Sequence, residues 1–241
     1  MRARRKLLWL HKWTALVVGL QLLLWVAGGL VMGVLDIEGV RGEATRAALE
    51  LSPLRWGEIA PMSRIAEQVP LPIAELRVTT GPLGPRYRVT DTRGAVHRFD
   101  ARTGRPLAEL SQAEALTVAQ AHYAGAGSGQ PPTRLSERTS EYRGVLPVWR
   151  VDFDDAAATT LYVDVLDGDV VARRNRSWRI YDFAWMLHVM DYRERENFNH
   201  PLLVGAASLA LAVTLSGLYL LASTPWRSAA AQSAKARRPS S

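Results

Sequence analysis

The chain has 241 residues, no cysteine, 48% hydrophobic residues, and 30 Lys+Arg against 23 Asp+Glu, a formal net charge of +7. The missing thiol excludes disulfides, thiolate zinc sites, iron–sulfur clusters and a cysteine nucleophile. The positive excess does not mark a nucleic-acid binder, because it sits at the ends: residues 1–35 hold five basic residues and 197–241 hold four, both without acids, whereas 36–199 is net −2.

After a basic start over residues 1–12, Trp13–Leu35 runs 23 residues without a charge. That is long enough to cross a bilayer and predicts a transmembrane helix over 13–35. It exceeds a signal-peptide h-region and lacks an Ala-x-Ala-like cleavage site, so it reads as an uncleaved anchor. A second uncharged run, Asn197–Trp226, has its apolar core at Pro201–Ala222 and predicts a second span over 200–223. Lys and Arg flank the outer end of each span. The positive-inside rule therefore predicts both termini in the cytoplasm and residues 36–199 in the periplasm of a bacterial inner membrane, with the lipid bilayer as a partner. The Ala-, Ser- and Arg-rich residues 224–241 read as a disordered cytoplasmic tail.

Between the spans lies an imperfect repeat. Tyr87-Arg88-Val89 is followed by Phe99-Asp100 through Gly104-Arg105-Pro106, and Trp149-Arg150-Val151 by Val163-Asp164 through Gly168-Asp169-Val170, at offsets of 62 and 64 residues. Each copy predicts alternating strands closed by an Asp/Gly turn. Each also opens with a helix. Ser111-Gln112-Ala113-Glu114 is a capping box for a helix through Tyr123, while the first helix, around Trp56–Val69, has Pro61 inside it. The expected fold is an α+β periplasmic domain of two helix/antiparallel-sheet repeats, 56–110 and 111–180, then an interfacial segment 181–199, flanked by two transmembrane helices.

Three histidines lie at the span edges. His11, Thr14, Val18, Gln21 and Trp25 fall on one helical face, and polar residues in a span face protein. His11 reads as a metal ligand or as an interfacial residue between Trp9 and Trp13. His188, within Tyr181–Tyr192, and His200, directly before Pro201, read in the same two ways. Antiparallel spans set His11 and His200 roughly 30 Å apart, so these two cannot share a metal ion. His188 with His200 remains, or His11 with its copy in a symmetric homodimer, for which Gly29-x-x-x-Gly33 and Gly205, Ala212 and Ser216 offer small faces. His97 is expected to face solvent from a strand, and His122 to be partly cationic at a helix end. Asp152, Asp154, Asp155, Asp164, Asp167 and Asp169 read as turn formers at strand ends. No triad order, His-Glu-x-x-His, Walker loop or dinucleotide fingerprint appears.

Leu10-His11-Lys12-Trp13, Tyr162-Val163-Asp164 through Gly168-Asp169-Val170-Val171, and Trp185-Met186-Leu187-His188, in that order across nearly the whole chain, resemble the PepSY-associated transmembrane family in a short, two-span form. The resemblance implies PepSY-like repeats and two kinds of function. Longer relatives are ferric-siderophore reductases whose membrane histidines hold b-type haem. By that analogy His11, His188 and His200 would be haem-iron ligands, and the chain a membrane oxidoreductase component or a subunit of a larger reductase in iron acquisition. PepSY domains elsewhere bind peptidases, which implies instead a non-catalytic module for a peptide, peptidase or partner membrane protein.

Overall fold

A computed structural model describes residues 2–49, 54–197 and 199–223. The expected tail over 224–241 lies outside the described residues. The chain divides into two compact units, Met1–Gly33 with Phe183–Ser241, and Val34–Asp182.

The first unit is built on two apolar helices, α1 (Arg2–Val34) and α6 (Pro201–Ala222). Both are long and apolar enough to cross a membrane, with mean hydropathy 2.2 over an 18-residue window within Arg5–Val34 and 1.9 within α6. Helix α1 starts well before the expected Trp13. Residues 2–12 contain no proline or glycine, and Arg, Lys and Leu are strong helix formers, so nothing stops the helix at the last charge. His11, Thr14, Gln21 and Trp25 are partly buried and Val18 fully so. That is the face anticipated from the three- and four-residue steps. Leu16, Val17, Leu20, Leu23, Val26 and Leu30, on the remaining surface, are 63–70% exposed. Such a continuous apolar surface suits hydrocarbon and far exceeds what water tolerates. Helix α6 runs antiparallel to α1, its C-terminal Ser216 beside His11 and its N-terminal Leu202 and Gly205 lining a cavity with Gln21 and Trp25. Pro201 occupies its first turn, where a missing N–H is no loss.

The second unit is α+β. After α2 (Ile37–Arg41), capped by Asp36 and ended by Gly42 at φ 73°, come two antiparallel sheets. The first joins β1 (Ile73–Gly81), β2 (Gly84–Asp91) and β3 (Val96–Asp100); the second joins β4 (Thr133–Leu135), β5 (Val148–Asp152), β6 (Thr160–Asp164) and β7 (Val170–Arg174). Alternation gives each sheet an apolar face. Tyr87, Val89 and Phe99 pack with Ile65 and Val69 under the first sheet; Val151, Leu161 and Val163 pack with Val118 and Ala119 of α4 (Gln112–Ala121) under the second. The capping box forms, Ser111 Oγ accepting from Glu114 N–H while Glu114 accepts from Ser111 N–H. The expected helix over Trp56–Val69 is broken: a 3-10 turn at Trp56–Glu58, then Pro61 as cap of the short α3 (Met62–Ala66). Proline lacks the amide and clashes with the preceding turn, so it starts a helix here where it could not continue one.

The repeat is geometric as well as sequential. Asp100 accepts from the amides of Arg102 and Thr103, and Gly104 sits at φ 70°; Asp164 accepts from those of Leu166 and Asp167, and Gly168 sits at φ 74°. The segment expected as interfacial at 181–199 begins inside α5 (Arg176–Val189), which starts five residues earlier.

Candidate functional site

Each span-edge histidine has its own environment. His11 Nδ1 lies 2.8 Å from Ser216 Oγ, and that hydroxyl donates to the Val213 carbonyl at 2.9 Å. A hydroxyl has one hydrogen, so Ser216 accepts from the imidazole and neutral His11 carries its proton on Nδ1. The ring rests on Gly217. A Cβ there would stand 3.3 Å from His11 Cε1 and 3.7 Å from Nε2, so glycine is what admits the imidazole between the helices.

His188, on α5, lies with Nδ1 3.4 Å from the Trp25 carbonyl, a long hydrogen bond, and its ring tilts against the indole with centroids 6.4 Å apart. Donation from Nδ1 leaves Nε2 with its lone pair, the arrangement in which a histidine binds metal through Nε2. His200 is the reverse case. Its Nδ1 accepts from Leu202 N–H at 3.3 Å as the N-cap of α6. The neutral ring then holds its proton on Nε2 and offers iron no lone pair in this conformation.

His11 stands apart from the other two. His11 is beside Ser216 and Gly217, sixteen residues along α6 from His200, about 24 Å at 1.5 Å per residue. That shortens the expected separation without bringing the two onto one iron. His188 meets α1 at Trp25 and Gly29, about 21–27 Å along the helix from His11. One chain thus offers two imidazole lone pairs in separate places, and a bis-histidine haem needs both on one iron. Each of these Nε2 atoms supplies at most one axial ligand, so a bis-histidine haem here would need a second imidazole from outside the chain. Between α1 and α6 lies an apolar cavity of about 460 Å³, lined among others by Val18, Gln21, Trp25, Met190 and Leu202. Gln21 Nε2 and Trp25 Nε1 are buried without a hydrogen-bond partner, so the helix pair has two donors to spare. The close approaches fall at Gly28, where a Cβ would be 3.3 Å from the Ala184 carbonyl, and at Gly29, while Gly33 of the expected small-residue motif meets nothing. Above them Asp191 orders the connection to α6. Burial works against its charge, but the amides of Asn197, Arg193, Glu194 and Glu196 hold the carboxyl down at about 2.

The other two histidines depart from expectation. His97 is half-buried, its Nε2 3.1 Å from Asp91 Oδ2. That contact, with the amides of Arg93 and Ala95, keeps the Asp91 carboxyl below its usual range. His97 lies on the expected strand, but register sets it opposite Val89 and on the face of Phe99, beside an acid that folds back from the hairpin. His122 ends α4 as expected, but burial and the nearby Arg173 push its pKa down, so it favours the neutral form. The Arg173 guanidinium takes the carbonyl at that end instead, donating to His122 O at 2.7 Å, and also to Thr45 O of a separate 3-10 turn at 3.0 Å. A cation does sit at the helix end, from β7 and not from the helix.

The carboxylates are structural. Asp155 accepts from Thr159 and Tyr123, Asp152 from Thr160 and Arg150, and Asp167 from Arg98 and Arg88. Asp169 is the exception, its pKa raised by burial and by the charges of Asp167 and Asp164. Among the described residues no group of three His, Cys, Asp or Glu side chains gathers to hold a metal ion. Sequence reasoning found Ser216 only as a small residue and missed Gly217, because their role depends on the register of α6 against α1. No family model, curated protein or solved structure matches the chain.

Proposed function

We propose that the chain is a membrane-anchored binding module. In this reading both helices cross a bacterial inner membrane, both termini face the cytoplasm, and residues 36–199 stand in the periplasm, where β1 accepts an extended segment of a partner protein. The observation that carries it is β1 itself: nine residues, at the edge of its sheet, with no strand on its far side among the described residues. An unpaired row of amides and carbonyls is a template for strand addition. Most of the carboxylates that might have served chemistry are committed to turn amides and ion pairs within the fold. The test is photo-crosslinking in intact membranes, with the reactive residue placed in turn along β1 and β4. Adducts confined to β1, unchanged when His11, His188 and His200 all become alanine, support the module; absence of adducts along β1 sinks it. Topology has its own check, since the chain has no native thiol. A cysteine at Thr103 should react with an impermeant maleimide in spheroplasts, and one at Ser228 only after lysis.

A second reading is favoured by the Nε2 lone pair of His188, whose ring meets Trp25, a residue that lines the apolar cavity. Here His188 and an imidazole from a second copy or a larger reductase subunit hold haem b, and the assembly passes electrons to a ferric siderophore in iron acquisition. The detergent-purified chain, given haem, would show a Soret band that His188→Ala abolishes and His200→Ala leaves in place. A flat spectrum removes this reading and leaves the binding module untouched.

A further inference from the structure

The outer face of the first sheet carries a row of like charges. Arg77, Arg88 and Arg98 sit on β1, β2 and β3 directly opposite one another, Arg77 against Arg88 and Arg88 against Arg98. Arg86, two residues before Arg88, shares the face. The inward residues between them, Val78, Tyr87, Val89 and Phe99, are committed to the core, so register alone fixes the arginines side by side. Like charges directly opposed on neighbouring strands destabilise a sheet.

One acid answers them. Asp167, from the turn of the second repeat, takes Arg98 Nε on Oδ1 at 2.8 Å and Arg88 Nη1 on Oδ2, and its main-chain carbonyl accepts from Arg86 Nη1 at 3.3 Å. Arg77 has only Glu75 on its own strand, at 2.9 Å, with side chains 65% and 57% exposed. Such a pair in water contributes little. The guanidinium groups of Arg77, Arg86, Arg88 and Arg98 border a small cleft with Asp167 and Asp169. With Glu75 counted, four cations there face three acids, of which Asp169 is pulled toward its neutral form by burial and by the other acids around it.

We propose that this row is a binding site for a phosphate-sized oxyanion, with Arg77 and Arg88 as its forks. Guanidinium groups present paired donors that match phosphate or carboxylate oxygens. Asp167 fixes Arg88 and Arg98 in line and leaves the Arg77 side of the row free. The same oxygens belong to a free phosphate ester or to an anionic lipid headgroup, and the site's chemistry is common to both. This site is independent of strand addition at β1, which uses the backbone edge and not the outer face.

The test uses the full chain in nanodiscs of zwitterionic phosphatidylcholine, titrated calorimetrically with inorganic phosphate at fixed ionic strength. Saturable binding at one site is expected, weakened at least tenfold in Arg77→Gln, an exposed edge position where folding is not at stake. Arg93→Gln, an exposed arginine outside the row, should bind as the parent does. Repeating the titration in discs containing phosphatidylglycerol separates the sources. A drop in phosphate affinity in the parent but not in Arg77→Gln identifies the headgroup as occupant, and an unchanged affinity identifies a free anion. No saturable binding, or equal loss in Arg77→Gln and Arg93→Gln, overturns the proposal.

Discussion

The two repeats share a turn and part company immediately after it. In both, an aspartate carboxylate gathers two following amides and a glycine takes the left-handed backbone, at Asp100–Gly104 and at Asp164–Gly168. In both the chain returns to the same strand, Phe99 meeting Pro106 and Val163 meeting Val170, again 64 residues apart. In the second copy β7 continues through Arg174; in the first, Leu107 N–H still reaches the Arg98 carbonyl, but the pairing ends on a single bridge at Pro106. The helices divide likewise, ten residues behind a capping box against five behind Pro61. Turns are set by a few residues in contact with themselves. How far an element extends from them depends on the next donor or cap.

That comparison can be broken at several points. The largest effect should come from Leu161→Ala, which empties a fully buried position in the second core; a loss of about 2–5 kcal/mol is expected in urea unfolding of the full chain in detergent. A loss below that range would mean the second sheet is no better packed than its exposed edges. Next come the paired glycines. Alanine at Gly104 or Gly168 must hold a positive φ and meet neighbours, Arg64 and Ala60 at 3.1 and 3.2 Å or Leu110 at 3.3 Å, so each should destabilise by about 1–2 kcal/mol. Equal losses confirm the shared turn, whereas a neutral member would end the equivalence. Ser111→Ala removes the cap that the first repeat lacks and should cost about 1 kcal/mol, read as a lower unfolding midpoint. The smallest difference concerns acid. His122, faced by Arg173, Arg46 and Asp169, has its folded pKa below the ordinary value, so the unfolded chain takes up a proton that the folded one resists. Its contribution is present above about pH 6.5 and is lost as the pH falls below that. The unfolding midpoint should drop between pH 7.5 and 5.5, and less steeply in His122→Gln.

What the sequence made legible follows from local patterning. The charge-free runs, the Ser111–Glu114 box and the Asp–Gly turns each need only a few neighbours, and the inward face from His11 to Trp25 needs only helical steps. The start of α1 was misplaced because a last charge marks the edge of hydrocarbon, not the end of a helix. His97 and His122 went astray for a common reason: their partners, Asp91 across a hairpin and Arg173 more than fifty residues on, are set by tertiary contact. The same holds for Ser216 and Gly217 at His11. The arginine row is intermediate, since alternation puts each arginine outward but only the strand register aligns them.

Pro106 has a consequence for solubility. Bridging beside Phe99, with Leu107 N–H held on the Arg98 carbonyl, it covers the margin of β3 with a residue that has no amide to offer a strand arriving from another molecule. The opposite margin, β1, has no such guard beyond the charges of Glu75 and Arg77. At high protein concentration, any run-on pairing between copies should therefore start at one margin only and stop at the dimer, because the joined pair would expose two sealed sides and no open one.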